Sequence, residues 1–299
     1  MLIRGVENNS IVYRGLALVK PYVQLLKVRL SLLVAFSAAI GYVLGASSSI
    51  STLHFLMFTI AGFMVTASAN IINQLKEVEF DKLMTRTMNR PLPLHLISRS
   101  NAAIFSFVLG VSGLYLHLVY INQLTAFISL LGLVLYAFVY TPLKRVGPVA
   151  VFVGAFPGAF PPLIGWVAAT GVLGTEAIIL FGIQFIWQFP HFWAIAWVAD
   201  DDYQKAGFKL LPSKGGRNLN TAFNIMIYTL VLVPLSLMPM YVGLTGPISA
   251  VIVSAAGVLF LMQTFYLMKT CDRKAALRIM FGSFLYLPIV QIAFALDKI

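Results

Sequence analysis

Residues 53–76 read LHFLMFTIAGFMVTASANIINQLK, and this stretch decides the fold. It is apolar along its length rather than on one face. As a helix it extends roughly 36 Å, enough to cross a hydrocarbon core of about 30 Å. A backbone in hydrocarbon must satisfy its own N–H and C=O groups, which a helix does internally. Working outward, comparable runs occupy about 29–48, 100–119, 122–141, 147–169, 176–199, 221–242, 246–268 and 276–296. The gaps between them are too short for a second folded unit. The expected fold is an all-α integral membrane protein, with nine transmembrane helices in a single bundle and residues 1–299 forming one domain. The composition agrees: 10% of residues are charged and 60% hydrophobic, whereas a soluble domain carries about 25% charged residues.

The formal charge of +11 suggests a nucleic-acid partner until its distribution is read. Basic residues gather in alternate connections: Arg4, Arg14, Lys20, Lys27 and Arg29; Lys76, Lys82, Arg86, Arg90 and Arg99; Lys144 and Arg145; Lys205, Lys209, Lys214 and Arg217; Lys269, Arg273, Lys274 and Arg278. The connections near 46–52, 120–123, 170–175 and 243–247 contain no Lys or Arg, and Lys298 alone falls on that side. Cytoplasmic loops retain positive charge, so the N-terminus is expected inside and, after nine spans, the C-terminus outside. The lipid bilayer is the expected partner, and nucleic acid is not. The single cysteine, Cys271, excludes a disulfide framework and a zinc cluster of cysteines. The first 28 residues lack the pattern of a signal or transit peptide. A bacterial inner membrane is therefore the expected home, ahead of the mitochondrial inner membrane.

Six of the ten acidic residues form two clusters, Glu77, Glu79, Asp81 and Asp200, Asp201, Asp202, each at the basic end of a helix. The clusters lie four helices apart, a weak echo that suits two four-helix halves with a ninth helix appended. Solvated helix ends would account for any single acid, but the spacing argues for more. Asn73, Glu77 and Asp81 recur at i, i+4 and i+8, drifting about 40° per step over roughly 12 Å, so they share one face. Glu79 points away and reads as solvated. An amide oxygen and two carboxylates form a hard-oxygen surface suited to Mg²⁺, which takes one or two carboxylates and leaves the rest of its octahedron to phosphate and water. Lys82, Arg86 and Arg90 follow as cations for a diphosphate, Lys82 the weakest of the three, with Lys144 and Arg145 in the next basic connection as further candidates. The positive-inside bias would itself place basic residues here.

On an ideal sixth helix, taking Gln184 as zero, Gln188 falls at about 40°, His191 at about −20° and Asp202 at about 0°. Asp200 and Asp201 fall at about 160° and −100°. One polar stripe is thus expected to end in Asp202, with Pro190 introducing a kink. Polar groups inside a span face the bundle interior by default. Gln188 and His191 are therefore candidate substrate-binding groups, although a satisfied structural histidine is the commoner case. His54, His117 and His95 carry weaker signals.

The stretch Asn73–Leu92, NQLKEVEFDKLMTRTMNRPL, resembles the first motif of the UbiA-type intramembrane prenyltransferases, N-x-x-x-D-x-x-x-D followed by R-T-x-x-R-P-L. Three further stretches resemble the branch of that family that farnesylates protoheme: YTPLKRVGPVAVFVGAFPGAFPPLIGW (Tyr140–Trp166), WQFPHFWAIAW (Trp187–Trp197) and DDYQKAGFKLLP (Asp201–Pro212). The resemblance implies that farnesyl diphosphate binds through Mg²⁺ to both acidic motifs, with Asn73, Glu77, Asp81 and Asp202 as metal ligands and catalytic residues and Tyr203 beside the substrate. It implies that a vinyl group of heme b, a substrate rather than a prosthetic group, takes the farnesyl group to give heme O. Heme A synthase or a terminal oxidase in assembly is the implied recipient. Two departures stand out. Glu77 replaces the usual Asp, and Val198 stands where the second motif has its first acid, as in the heme branch. A quinone-pathway prenyltransferase would share the first motif without needing the P-H-F segment. A transporter would use Pro157, Pro161, Pro162 and Pro190 as helix breaks at a midplane site, but the acids cluster at one end instead.

Overall fold

The computed structural model describes residues 19–47, 50–213 and 215–299; Arg4, Arg14 and Lys214 lie outside them. Among the described residues nine helices are long and apolar enough to cross a membrane: α1 Val28–Gly45, α2 Thr52–Asp81, α3 Arg99–Ile121, α4 Gln123–Leu143, α5 Val149–Thr170, α6 Thr175–Val198, α7 Leu219–Tyr241, α8 Pro247–Thr270 and α9 Arg273–Leu296. The described residues are all-helical, with a short helix Asp200–Lys205 following α6.

Side chains set the helix starts. Ser98, Asn122, Asn218 and Asp272 accept hydrogen bonds from the N–H groups of Asn101, Thr125, Thr221 and Ala275, satisfying donors that an N-terminus otherwise leaves free. Gly171 ends α5 at φ 76°, a conformation that needs no Cβ. The prolines of the fifth and sixth spans do not interrupt their helices: α5 runs through Pro157, Pro161 and Pro162, and α6 through Pro190, whereas α7 breaks at Ser236–Leu237, just after Pro234. The broken helices of the transporter reading are therefore absent from these two spans. Toward the end of α4, Leu135–Tyr140 are π-helical before an α-helical final turn, a local widening that recurs at functional sites.

The core centres on α5 and α6. Helix α1 packs along α5, α2 pairs with α3, and α6 touches α5, α7 and α9. At the α1–α5 crossing a Cβ on Gly41 would overlap the Pro162 carbonyl, and one on Gly165 would overlap the Ala38 carbonyl. Small residues thus bring two backbones into contact, the usual packing device where lipid removes a hydrophobic drive. The ninth helix is not an appendage. It packs on α8, α6 and α1, and Gln291 donates to Ser37 Oγ at 2.7 Å and to Gln184 Oε1 at 2.9 Å. Ser37 also donates to Gln184 Oε1, at 2.8 Å. Buried side-chain amides need partners in an apolar interior, and this closed network ties α9 into the centre.

Candidate functional site

Helix α2 continues past the apolar stretch as far as Asp81, and its last turns carry the acids. Asn73, Glu77 and Asp81 are 2%, 5% and 0% exposed, whereas Glu79 is exposed and pairs with Lys82 and Arg99. The helical spacing therefore separates the acids as read. Asn73, Glu77 and Asp81 line a cavity of about 110 Å³ at the basic end of the bundle.

Four cations share this cavity: Lys27, Arg86, Arg90 and Lys144. Arg90 Nη1 donates to both oxygens of Asp81, at 2.9 and 2.7 Å. Lys144 Nζ donates to Glu77 Oε1 at 2.8 Å. Burial is the largest influence on Lys144 and works against its charge, but the Glu77 carboxylate together with Tyr136 and Tyr203 outweighs it and the net shift is upward. Lys27, in left-handed geometry just before α1, reaches Asn73 Oδ1 at 3.4 Å. Burial, then repulsion from Arg90 and Lys144, lowers its pKa to about 7.

The orientation of Asn73 follows from its neighbours. Thr141 Oγ1 spends its one proton on the Tyr136 carbonyl at 2.8 Å, so it can only accept from Asn73 Nδ2, at 3.0 Å. That assignment turns Oδ1 toward Lys27. Three oxygen donors of the hard type Mg²⁺ prefers thus line one cavity, and the residues present fit that metal. Among the described residues no three His, Cys, Asp or Glu side chains converge to cage a metal by themselves.

Asp202 does not join the cavity lining. Helix α6 stops at Val198, and Ala199 leaves helical geometry at φ −98°, ψ 9°. The phase extrapolated from Gln184 is lost there, which is why the expected stripe does not reach Asp202. Its carboxylate instead accepts from the backbone N–H of Thr85 at 3.3 Å and of Arg86 at 3.2 Å, and from Lys205 at 3.0 Å. The Lys205 ammonium first, then the two backbone N–H groups, lower its pKa to about 2. Asp202 thereby fastens the segment after α2 to the helix Asp200–Lys205. Met84 packs with Ala206 and Phe208 beneath that clasp. The neighbouring acids are engaged elsewhere: Arg217 pairs with Asp200 and Asp201.

The other expected residues divide. Tyr203 lines the cavity. Arg145 does not; it is exposed and lies over the Phe80 ring at 4.9 Å. Gln188 donates to the Gly158 carbonyl at 3.0 Å, within the α5–α6 crossing rather than in the cavity. His191 turns toward α9, with Nδ1 2.8 Å from Ser283 Oγ and its ring stacked on Trp187 at 4.3 Å. Sequence reasoning assigned no role to Lys27, Thr141 or Tyr136. Lys27 was legible only as one more positive-inside residue, and Thr141 and Tyr136 sit in a run that reads simply as a span.

The UbiA prenyltransferase family profile matches residues 34–287. The protoheme IX farnesyltransferase of Cytophaga hutchinsonii is 56% identical over 278 residues, covering 93% of this chain and 97% of that protein. The protoheme IX farnesyltransferase of Christiangramia forsetii is 40% identical, covering 98% of both chains. Among solved structures, a digeranylgeranylglyceryl phosphate synthase aligns with a TM-score of 0.79 at 23% identity, over 94% of this chain and 98% of that one. A UbiA homolog from Archaeoglobus fulgidus bound to GPP and Mg²⁺ aligns with a TM-score of 0.67 at 17% identity, over 92% and 99%. At these identities the structures establish a common fold.

Proposed function

This chain belongs to the UbiA prenyltransferase family, and on that premise we propose that it transfers the farnesyl group of farnesyl diphosphate to a vinyl group of protoheme, releasing diphosphate and giving heme O. The observation that carries the site assignment is the buried face of Asn73, Glu77 and Asp81, set opposite Lys27, Arg86, Arg90 and Lys144 in one cavity. Two carboxylates among four cations suit a metal–diphosphate pair: the carboxylates would hold the cation and the basic side chains the outer phosphate oxygens. Bound Mg²⁺ supplies Lewis-acid stabilisation of the departing diphosphate.

The protein's own groups do the rest. Arg90 and Lys144, which neutralise Asp81 and Glu77 in this structure, re-pair with phosphate oxygens when substrate arrives. As the C–O bond to diphosphate breaks, positive charge develops on the allylic carbon, beside the cavity rings Tyr136 and Tyr203. An aromatic face attracts such a cation. The vinyl group attacks that carbon, a C–C bond forms, and water adds to the resulting heme-side cation with loss of a proton. His191, which lies outside the cavity lining and turns toward α9, is assigned in this reading to protoheme rather than to diphosphate.

The basic ends lie in the cytoplasm of a bacterial inner membrane, with the N-terminus inside, and the product passes to heme A synthase or an oxidase in assembly. Membranes containing the protein, given farnesyl diphosphate, Mg²⁺ and protoheme, should yield heme O by mass analysis together with free diphosphate. Prenylation of 4-hydroxybenzoate instead, with heme untouched, would establish the quinone-pathway reading.

A further inference from the structure

His191 is held by a single residue of another helix in two ways. Its Nδ1 lies 2.8 Å from Ser283 Oγ on α9. The indole N–H of Trp187, whose ring stacks on the imidazole at 4.3 Å and 19°, donates to the Ser283 carbonyl at 3.1 Å. The ring centroids of Phe284 and Phe192 lie 5.1 and 5.5 Å from that of the imidazole, in edge-on geometry. The ring therefore has one fixed orientation, and its hydrogen-bond direction can be deduced.

A serine hydroxyl has one proton to donate. Ser283 donates it along its own helix to the Met280 carbonyl, at 2.7 Å. With the hydroxyl proton assigned to the Met280 carbonyl, the oxygen accepts from His191, which assigns the imidazole proton to Nδ1. A neutral imidazole carries one N–H, and Nε2 is left with a bare lone pair. Among the described residues no hydrogen bond engages Nε2, and His191 is only partly buried. An imidazole with Nδ1–H bonded to an acceptor and Nε2 free is in the state that binds a metal, and the acceptor raises its basicity.

Resting on the reading that His191 holds protoheme, we propose that Ser283 is a positioning residue that fixes the His191 tautomer so that Nε2 ligates the heme iron. A histidine that held heme by donating a hydrogen bond to a propionate would carry its proton on Nε2, the opposite arrangement. Ser283 is fully buried, so its hydroxyl serves this contact rather than solvent.

The test titrates protoheme into the full-length protein in detergent, following affinity and the iron–imidazole stretching band of the ferrous complex. Ser283→Ala should weaken heme binding about tenfold and lower that stretching frequency, with farnesyl diphosphate affinity unchanged. Ser283→Thr, which keeps the hydroxyl, should track wild type, and its near-isostere Ser283→Val should track alanine. Equal losses in Thr and Val would mark a packing role and overturn the proposal. So would wild-type affinity and band in both Ala and Val while His191→Ala loses the imidazole band. If His191→Ala itself retains the band and full affinity, the assignment of His191 to heme fails first, and the role of Ser283 falls with it.

Discussion

Asn73, Glu77 and Asp81 owe their common fate to one number, the four-residue spacing that turns a helix by about 40°. Their burial contrasts with the exposure of Glu79, two residues from either acid. Alanine at Asn73, Glu77 or Asp81 should therefore cost at least about 100-fold in turnover, or ~2.7 kcal/mol of barrier. Glu79→Ala should stay within about twofold, since an exposed pair contributes little. Glu77→Asp should retain activity, because it keeps the carboxylate on the same face. Steady-state rates on purified variants, with melting temperatures to show that each is folded, make the comparison. A loss at Glu79 equal to that at Glu77 would refute the face assignment. These acids were legible from spacing alone. Lys27 was not, because its reach to Asn73 depends on how α1 lies against α2.

The segment after α2 and the short helix Asp200–Lys205 close the site, and Asp202 joins the two. Its carboxylate clasps the Thr85 and Arg86 backbone, and Arg86 lines the cavity. Asp202→Ala should consequently raise the KM for farnesyl diphosphate several-fold through Arg86, while the Mg²⁺ concentration giving half-maximal rate stays unchanged. A shift in that Mg²⁺ requirement would restore Asp202 as a ligand. Between helices, the α1–α5 crossing has no room for a methyl group at Gly165. Gly165→Ala should lower stability by about 1–3 kcal/mol, seen as a reduced melting temperature, with both substrates affected in parallel. A melting temperature equal to that of wild type would show that the two helices can separate without cost. Neither contact was legible. One depends on where α6 ends, and the other on which pair of nine similar helices touches.

Across the whole molecule, the basic end holds the cavity, and Lys298 stands at the other, where it donates to the Val43 carbonyl at 2.9 Å and to that of Ala46. It thereby caps the end of α1 with a cation, where the helix dipole favours one. Reporter fusions in the loop near 205–215 should read cytoplasmic and those at residue 299 external. An external signal from that loop would invert the orientation and remove the site from the diphosphate's side of the membrane. The spans and the alternation of charge were written in the chain itself, because hydrocarbon admits only long apolar helices and because charge retention acts loop by loop. The acidic face of α2 was equally local, since a helix of known pitch places its own residues. Everything that joins helices was decided only in the fold. The ninth helix became part of the core through Gln291, Asp202 became a clasp when α6 ended at Val198, and Ser283 met His191 across 92 residues of chain. The nine spans among the described residues, of nearly uniform hydrophobicity, carry no code for their partners. Pairing rests on where glycines let backbones touch and where buried polar groups find acceptors, and those are relations between helices that no single segment contains.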